Sequence, residues 1–247
     1  MQIIISPAKK MRIDNDDLAP AAEPRFLKDT AILLSELQKM SYEDLKRLWQ
    51  CNDEIASLNY QRLQNMRLQA NLTPAVLAYD GIQYQYMAPR VFEDRQLDYV
   101  TEHLNILSGF YGILKAMDGV VPYRLEMQAK LPAAGCKNLY DFWGNRLYHE
   151  LTRNDKSILN LASKEYSKAI EKYLTTDVEY VTCIFGVWQD EKIKVKATEA
   201  KMARGEMVRW CAEHNVCQVT ALKNFDRLGY QYQEKQSTAE EFVFLKN

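Results

Sequence analysis

The sequence is notable first for what it has little of. Its 247 residues include only 9 glycines and 7 prolines, too few for a collagen-like or linker-rich chain. The 5 cysteines are an odd number spread over a long chain, which excludes a disulfide-stapled secreted module. With 3 histidines and no Cys-x-x-Cys pair, little is available to build a zinc site. Cys211, His214 and Cys217 recur every third residue. One helix would bring them within reach of a shared ion, but a fourth ligand is lacking and the thiols read as reduced, small apolar side chains, so no metal and no cofactor is expected. No apolar run approaches the roughly 20 residues that cross a bilayer. The opening Met1-Gln2-Ile3-Ile4-Ile5-Ser6-Pro7 lacks the basic and long apolar regions of a signal peptide. Phosphate-loop, dinucleotide-binding and Ser-His-Asp signatures are missing as well. Neither sign of charge dominates: 32 Lys+Arg face 33 Asp+Glu, a net charge of -1. That excludes a generic basic coat and leaves local patches open. The expectation is a cytoplasmic protein with no membrane association, and a monomer.

What is present suits one globular domain over residues 1–247. Hydrophobic residues make up 47% and charged residues 26% of the chain. Gln2 to Ile5 reads as a buried strand opening into a loop at Ser6-Pro7. Asn15 to Pro24 reads as irregular. Helices are expected over Phe26 to Met40, from a Ser41 cap to Trp49, and from an Asn52 cap to about Gln69. Val76 to Tyr79 reads as a strand, and Leu97 to Leu107 and Ile113 to Met117 as helices. Tyr140 to Leu151 is expected to be helical, Ser157 to Leu161 a strand, and Lys164 to Tyr173 a helix. Val178 to Phe185 and Lys192 to Lys196 suggest an antiparallel pair. Glu199 to Glu213 and Val216 to Leu222 read as helical and Phe242 to Leu245 as a closing strand. Strands and helices do not alternate regularly, so a mixed α+β fold is expected rather than a doubly wound sheet.

Five segments are able to carry chemistry. Leu107-Ser108-Gly109-Phe110-Tyr111-Gly112-Ile113-Leu114-Lys115 has two glycines three apart between apolar flanks. Set between helices, it resembles a helix-hairpin-helix turn. Free amides at the start of the second helix would face a phosphate there, with Lys115 one turn further in. A packed glycine turn is the plainer reading. In Val120 to Met127, Arg124 and Glu126 lie two apart, so an extended chain points them the same way. They would pair with each other or face a ligand. Lys192 to Arg209 holds six cations and two acids, a local charge of +4 in a neutral protein. Lys201 and Arg204 share one helix face, and Gly205 would let something approach closely. Ser6 to Met11 follows the first strand and exposes Lys9 to any site at the strand end. Ser163 reads as the cap of the helix that carries Lys164 and Tyr166.

Taken in order, these segments resemble the bacterial YaaA peroxide-stress family. The resemblance rests on Ile3 to Lys9, Leu107 to Leu114 and Pro122 to Met127. It continues through Leu139-Tyr140-Asp141-Phe142-Trp143-Gly144, Asn160 to Tyr166 and Ala203-Arg204-Gly205. It implies a single α+β domain particular to that family, with a helix-hairpin-helix element beside a basic cleft. It also implies a role in hydrogen peroxide tolerance through limiting free iron, and sequence-indifferent binding of double-stranded or distorted DNA. Carried onto this chain, the hairpin is Ser108 to Gly112, with Gly109 and Tyr111 inside it. The cleft residues are Lys9, Arg124, Lys164, Lys201 and Arg204. The competing expectation is an enzyme for a small anionic substrate. Lys9 or Glu126 would move protons, Arg124 and Arg204 would clamp the anion, and Tyr166 would orient it. A shared concavity for Lys9, Arg124, Glu126 and Lys164 separates the two readings.

Overall fold

The first apolar run forms strand β1, Gln2–Ile5, in which Ile3, Ile4 and Ile5 are fully buried. Such a run suits a strand covered on both faces. The computed structural model describes residues 1–14 and 18–246. Part of the acidic stretch expected to be irregular, Asn15 to Asp17, lies outside the described residues. After β1 come β2, Lys10–Met11, and the helices α1 Leu27–Gln38, α2 Tyr42–Trp49 and α3 Asp53–Gln64. Two caps fall at the expected residues. Ser41 Oγ accepts from the Asp44 amide at 3.2 Å and Asn52 Oδ1 from the Ile55 amide at 3.0 Å.

The chain continues through β3 Thr73–Pro74, α4 Ala75–Ala78, β4 Tyr79–Asp80, α5 Ile82–Met87 and α6 Asp94–His103. It then forms β5 Leu104–Ser108, β6 Gly112–Lys115, β7 Gly119–Val120, α7 Leu139–Trp143 and α8 Arg146–Leu151. The remainder is β8 Ser157–Leu161, α9 Lys164–Glu171, β9 Glu179–Gln189, β10 Lys192–Lys194, α10 Ala197–His214, β11 Tyr230–Tyr232 and β12 Glu241–Lys246.

The main sheet runs β11-β12-β9-β8-β1-β5-β6, with β10 paired to the far end of β9. Its five inner strands are parallel, and β6 and β11 close the edges antiparallel. Ile3 stands opposite Leu104 on one side and Leu159 on the other. In chain order the inner strands are β1, β5, β8, β9 and β12. In space they stand second, first, third, fourth, fifth. The winding therefore reverses between β1 and β8, as in open doubly wound sheets. Among the helices, α10 packs on α5 and α6, α9 on α8, and α3 on α1 and α2.

This is an α/β architecture, which corrects the α+β expectation. The alternation was hidden because the crossover from β1 to β5 takes in six helices and three two-residue strands. A second correction concerns the two-glycine segment. Leu104–Ser108 and Gly112–Lys115 are strands, so Ser108 to Gly112 is a β-hairpin and not a helix-hairpin-helix turn. Gly112, the first residue of β6, takes φ +76, a left-handed conformation that favours glycine. The helical period carried over from α6 is interrupted at Leu104. Beyond it Leu104, Ile106 and Leu107 are fully buried in the sheet. Val76 departs in the opposite sense, lying in α4 rather than in a strand.

Candidate functional site

The carboxyl ends of β1 and β8 meet at the point where the winding reverses. Open α/β sheets offer a crevice there, because the connections leave in opposite directions. Here the crevice is a cavity of about 420 Å³. Five cationic and three acidic side chains line it. The loop after β1 supplies Lys9 and Lys10, the strap after β7 supplies Arg124 and Glu126, and α10 supplies Lys201 and Arg204. The start of α9 adds Glu165 and Tyr166.

Each wall has a local reason for its place. Ser6 Oγ accepts from the Ser163 amide at 2.8 Å and donates to Ser163 Oγ at 3.2 Å, tying the ends of β1 and β8 together. Tyr84 Oη on α5 donates to the Ser6 carbonyl at 3.0 Å. Tyr140 Oη donates to the Glu165 carbonyl at 2.8 Å and steadies the first turn of α9. Gly205 lets α10 lie against α5: a Cβ there would come within 2.0 Å of the Gln83 carbonyl oxygen. What approaches Gly205 closely is therefore the protein's own backbone.

The charges are only partly matched. Arg124 and Glu126 do share one side of the extended strap, with Nη2 and Oε1 3.4 Å apart. Lys9 Nζ is 3.3 Å from the same oxygen. Lys10 pairs with Asp80 at 2.7 Å, and this contact holds the Asp80 carboxyl below its usual range. Arg204 has no such carboxylate among the described residues, and burial lowers its pKa. The Nε atoms of Arg124 and Arg204 and Nε2 of Gln83 are buried without a hydrogen-bond partner, and Oε1 of Glu126 is held by its two ion pairs without a well-aligned hydrogen bond. Burial pushes the Glu165 carboxyl up, and the nearby Glu126 adds to the effect. Burial likewise holds the Tyr84 and Tyr166 hydroxyls neutral.

Of the residues expected in the site, Lys9, Arg124, Glu126, Tyr166, Lys201 and Arg204 come together. Lys164 does not: its exposed side chain pairs with Glu171 at 2.5 Å. One residue of helix rotation turns Glu165 inward in its place. Lys115 lies at the opposite end of the sheet, where its Nζ donates to Gln2 Oε1 at 2.9 Å. Ser108, Gly109, Tyr111 and Gly112 are all buried. Ser108 Oγ accepts from the Phe110 and Tyr111 amides at 3.1 and 2.9 Å, and Trp143 Nε1 donates to the Gly109 carbonyl at 3.0 Å. The Phe110 and Tyr111 amides are thus engaged inside the protein and unavailable to a phosphate. Ser6, Gln83 and Glu165 were missed. Ser6 and Glu165 carried a signal, since both stand just past an apolar strand. Gln83 carried none.

An open, mostly parallel sheet with a polar cavity at its winding reversal defines the class: an α/β domain with its candidate site at the carboxyl strand ends. The family follows from comparison. The model of the family described as peroxide stress protein YaaA matches residues 1–236. A UPF0246 protein of Desulfitobacterium hafniense is 56% identical over 246 residues, 100% of this chain and 98% of its own length. One from Lachnoclostridium phytofermentans is 55% identical over 246 residues, covering 96% of that protein. One from Pediococcus pentosaceus is 52% identical over 247 residues, covering 98% of it. The chain belongs to the YaaA peroxide-stress family. Among the described residues no helix is long and apolar enough to cross a membrane.

Proposed function

We propose that this protein serves resistance to peroxide through its cavity, which binds a small anionic molecule and offers it an acid–base pair. One observation carries the reading. The Arg204 guanidinium faces the cavity with a buried, unpartnered Nε and no carboxylate beside it among the described residues, and Arg124, though paired with Glu126, also keeps an unpartnered Nε there. A buried cation without a counter-charge is costly, and an anionic ligand removes the cost. Glu126 and Glu165 share the cavity in unlike surroundings. Glu126 is ion-paired, and Glu165 is pushed toward its neutral form. Two carboxyl groups in unlike surroundings can act as acid and base on one ligand. Limitation of free iron would then follow from that chemistry rather than from iron held by this chain. Among the described residues no three His, Cys, Asp or Glu side chains are placed to hold a metal ion.

Complementation tests this reading. In cells lacking their own copy, wild-type protein should restore survival in hydrogen peroxide. Arg204→Gln, expressed to the same level, should not. Full rescue by Arg204→Gln would remove the cavity from the function.

DNA binding is a second reading, favoured by a different feature. The β9–β10 hairpin extends beyond the carboxyl end of β8 and carries Trp188, 55% exposed, near the exposed Lys192. An exposed aromatic ring beside cations suits base stacking and phosphate contact. Salt-sensitive binding to an opened duplex, weakened by Trp188→Ala, would support it. Absence of binding at low salt would end it.

A further inference from the structure

The start of α9 differs from what the sequence suggests. Ser163 occupies the N-cap position with extended backbone, yet its side chain caps no amide. The amides of Tyr166 and Ser167 both bond the Ser163 carbonyl at 2.9 Å. The amides of Lys164 and Glu165 find no acceptor on the described protein. The Ser163 hydroxyl is instead drawn to Ser6. Ser6 Oγ receives the Ser163 amide proton and spends its own hydrogen on Ser163 Oγ. The hydrogen of the Ser163 hydroxyl is left to donate elsewhere. A serine that gives up its capping bond leaves the positive end of the helix dipole open.

That end opens where Ser6, Ser163 and Glu165 line the cavity. Two further side chains in the same cavity are more than nine-tenths buried and short of a partner. The Arg124 side chain is 8% exposed and Gln83 is 6% exposed. Their Nε and Nε2 atoms, like Arg204 Nε, lack acceptors. The unmet groups are therefore mostly donors: two helix amides, one hydroxyl, two guanidinium nitrogens and one carboxamide. A carboxylate has two oxygens and one charge, and would leave much of this set unpaired. A phosphomonoester has three terminal oxygens and a charge of roughly -1.5 to -2 at neutral pH.

We propose that the cavity is a phosphomonoester site, with the phosphate seated on the uncapped first turn of α9 between Ser163 and the two arginines. The organic part of a small phosphorylated molecule then lies toward Tyr166, Gln83 and Glu126. This rests on the anion-binding reading and narrows it to one ligand chemistry. Glu165 does not oppose the phosphate. Burial pushes its carboxyl up, which eases protonation beside a dianion.

The test is calorimetry on the full chain with inorganic phosphate, phenyl phosphate and benzoate. Phenyl phosphate should bind at least tenfold more tightly than benzoate. Ser163→Asp supplies a strong cap and a negative charge at the seat, so it should fold normally and lose phosphate affinity by more than tenfold. Ser6→Ala should weaken it severalfold by freeing Ser163 to cap the helix. Unchanged phosphate affinity in Ser163→Asp overturns the seat. Tighter binding of benzoate, lost in Arg204→Gln, overturns the phosphomonoester assignment while leaving the anion site standing. Absence of binding by all three probes removes both.

Discussion

At the end of the sheet where β1, β5 and β8 begin, polar groups close on one another. The amino group of Met1 pairs with Asp155. Asn105 Nδ2 reaches Gln2 Oε1 at 2.9 Å, the Ile3 carbonyl at 3.3 Å and the His103 carbonyl at 3.0 Å. Lys115 completes the set on Gln2. His103 Nδ1 is the exception, buried without a partner. At the end where the same strands finish, three buried nitrogens, Gln83 Nε2 and the Nε atoms of Arg124 and Arg204, lack partners around one cavity. The strands are common to both ends, so the difference comes from what the loops and helices bring. A satisfied polar end adds stability, and buried polar groups left without partners take stability away.

Three substitutions sharpen this contrast. The largest effect is expected for Gly205→Ala, which forces α10 off α5 at the open end. It should cost about 3 kcal/mol by urea denaturation and weaken anion binding as well, because Gln83 and Arg204 move apart. Loss of stability with intact binding would show that the open end does not depend on that helix contact.

Asp118→Asn probes the closed end through pH. Asp118 is buried, accepts from the Lys115 amide at 2.9 Å, and has its carboxyl pushed up to about 6 by burial. The folded protein therefore holds this proton more tightly than the unfolded chain. Stability from this group is full below about pH 4 and is lost as pH rises to about 6, by up to about 3 kcal/mol. Asparagine keeps the acceptor and cannot ionise. Asp118→Asn should flatten the fall in stability between pH 4 and 6, measured by denaturation at several pH values. An unchanged slope would move that titration elsewhere.

The smallest effect is expected for Asn105→Ala. Losing the bonds to Gln2 and to two carbonyls should cost about 1–2 kcal/mol while anion affinity stays within twofold. A loss of binding would mean that the two ends are coupled through β1 and β5.

Much of the scaffold was legible because its signals are local. The Ser41 and Asn52 caps, the Ile3-Ile4-Ile5 run and the alternation of Arg124 with Glu126 each follow from a few neighbouring residues. The stretch from Leu104 to Lys115 was misread because an apolar run with two glycines suits a hairpin of strands as well as a hairpin of helices. Only pairing with β1 settles it. The site was half legible for a related reason. Lys9, Arg124, Tyr166, Lys201 and Arg204 stand out by charge or by position after a strand. The exchange of Lys164 for Glu165 depends on the rotation of one short helix. The missing cap at Ser163 depends on Ser6, 157 residues away in sequence.

The central claim, that the open end of the sheet is an anion site and the closed end is scaffold, comes down to one calorimetric titration. Small anions would be titrated into wild type, Arg204→Gln and Asn105→Ala under the same conditions. Wild type and Asn105→Ala should bind alike, and Arg204→Gln about ten- to a hundredfold more weakly, the loss of one charged hydrogen-bonding group. Equal affinity in all three, or no anion bound by the wild type, would contradict it.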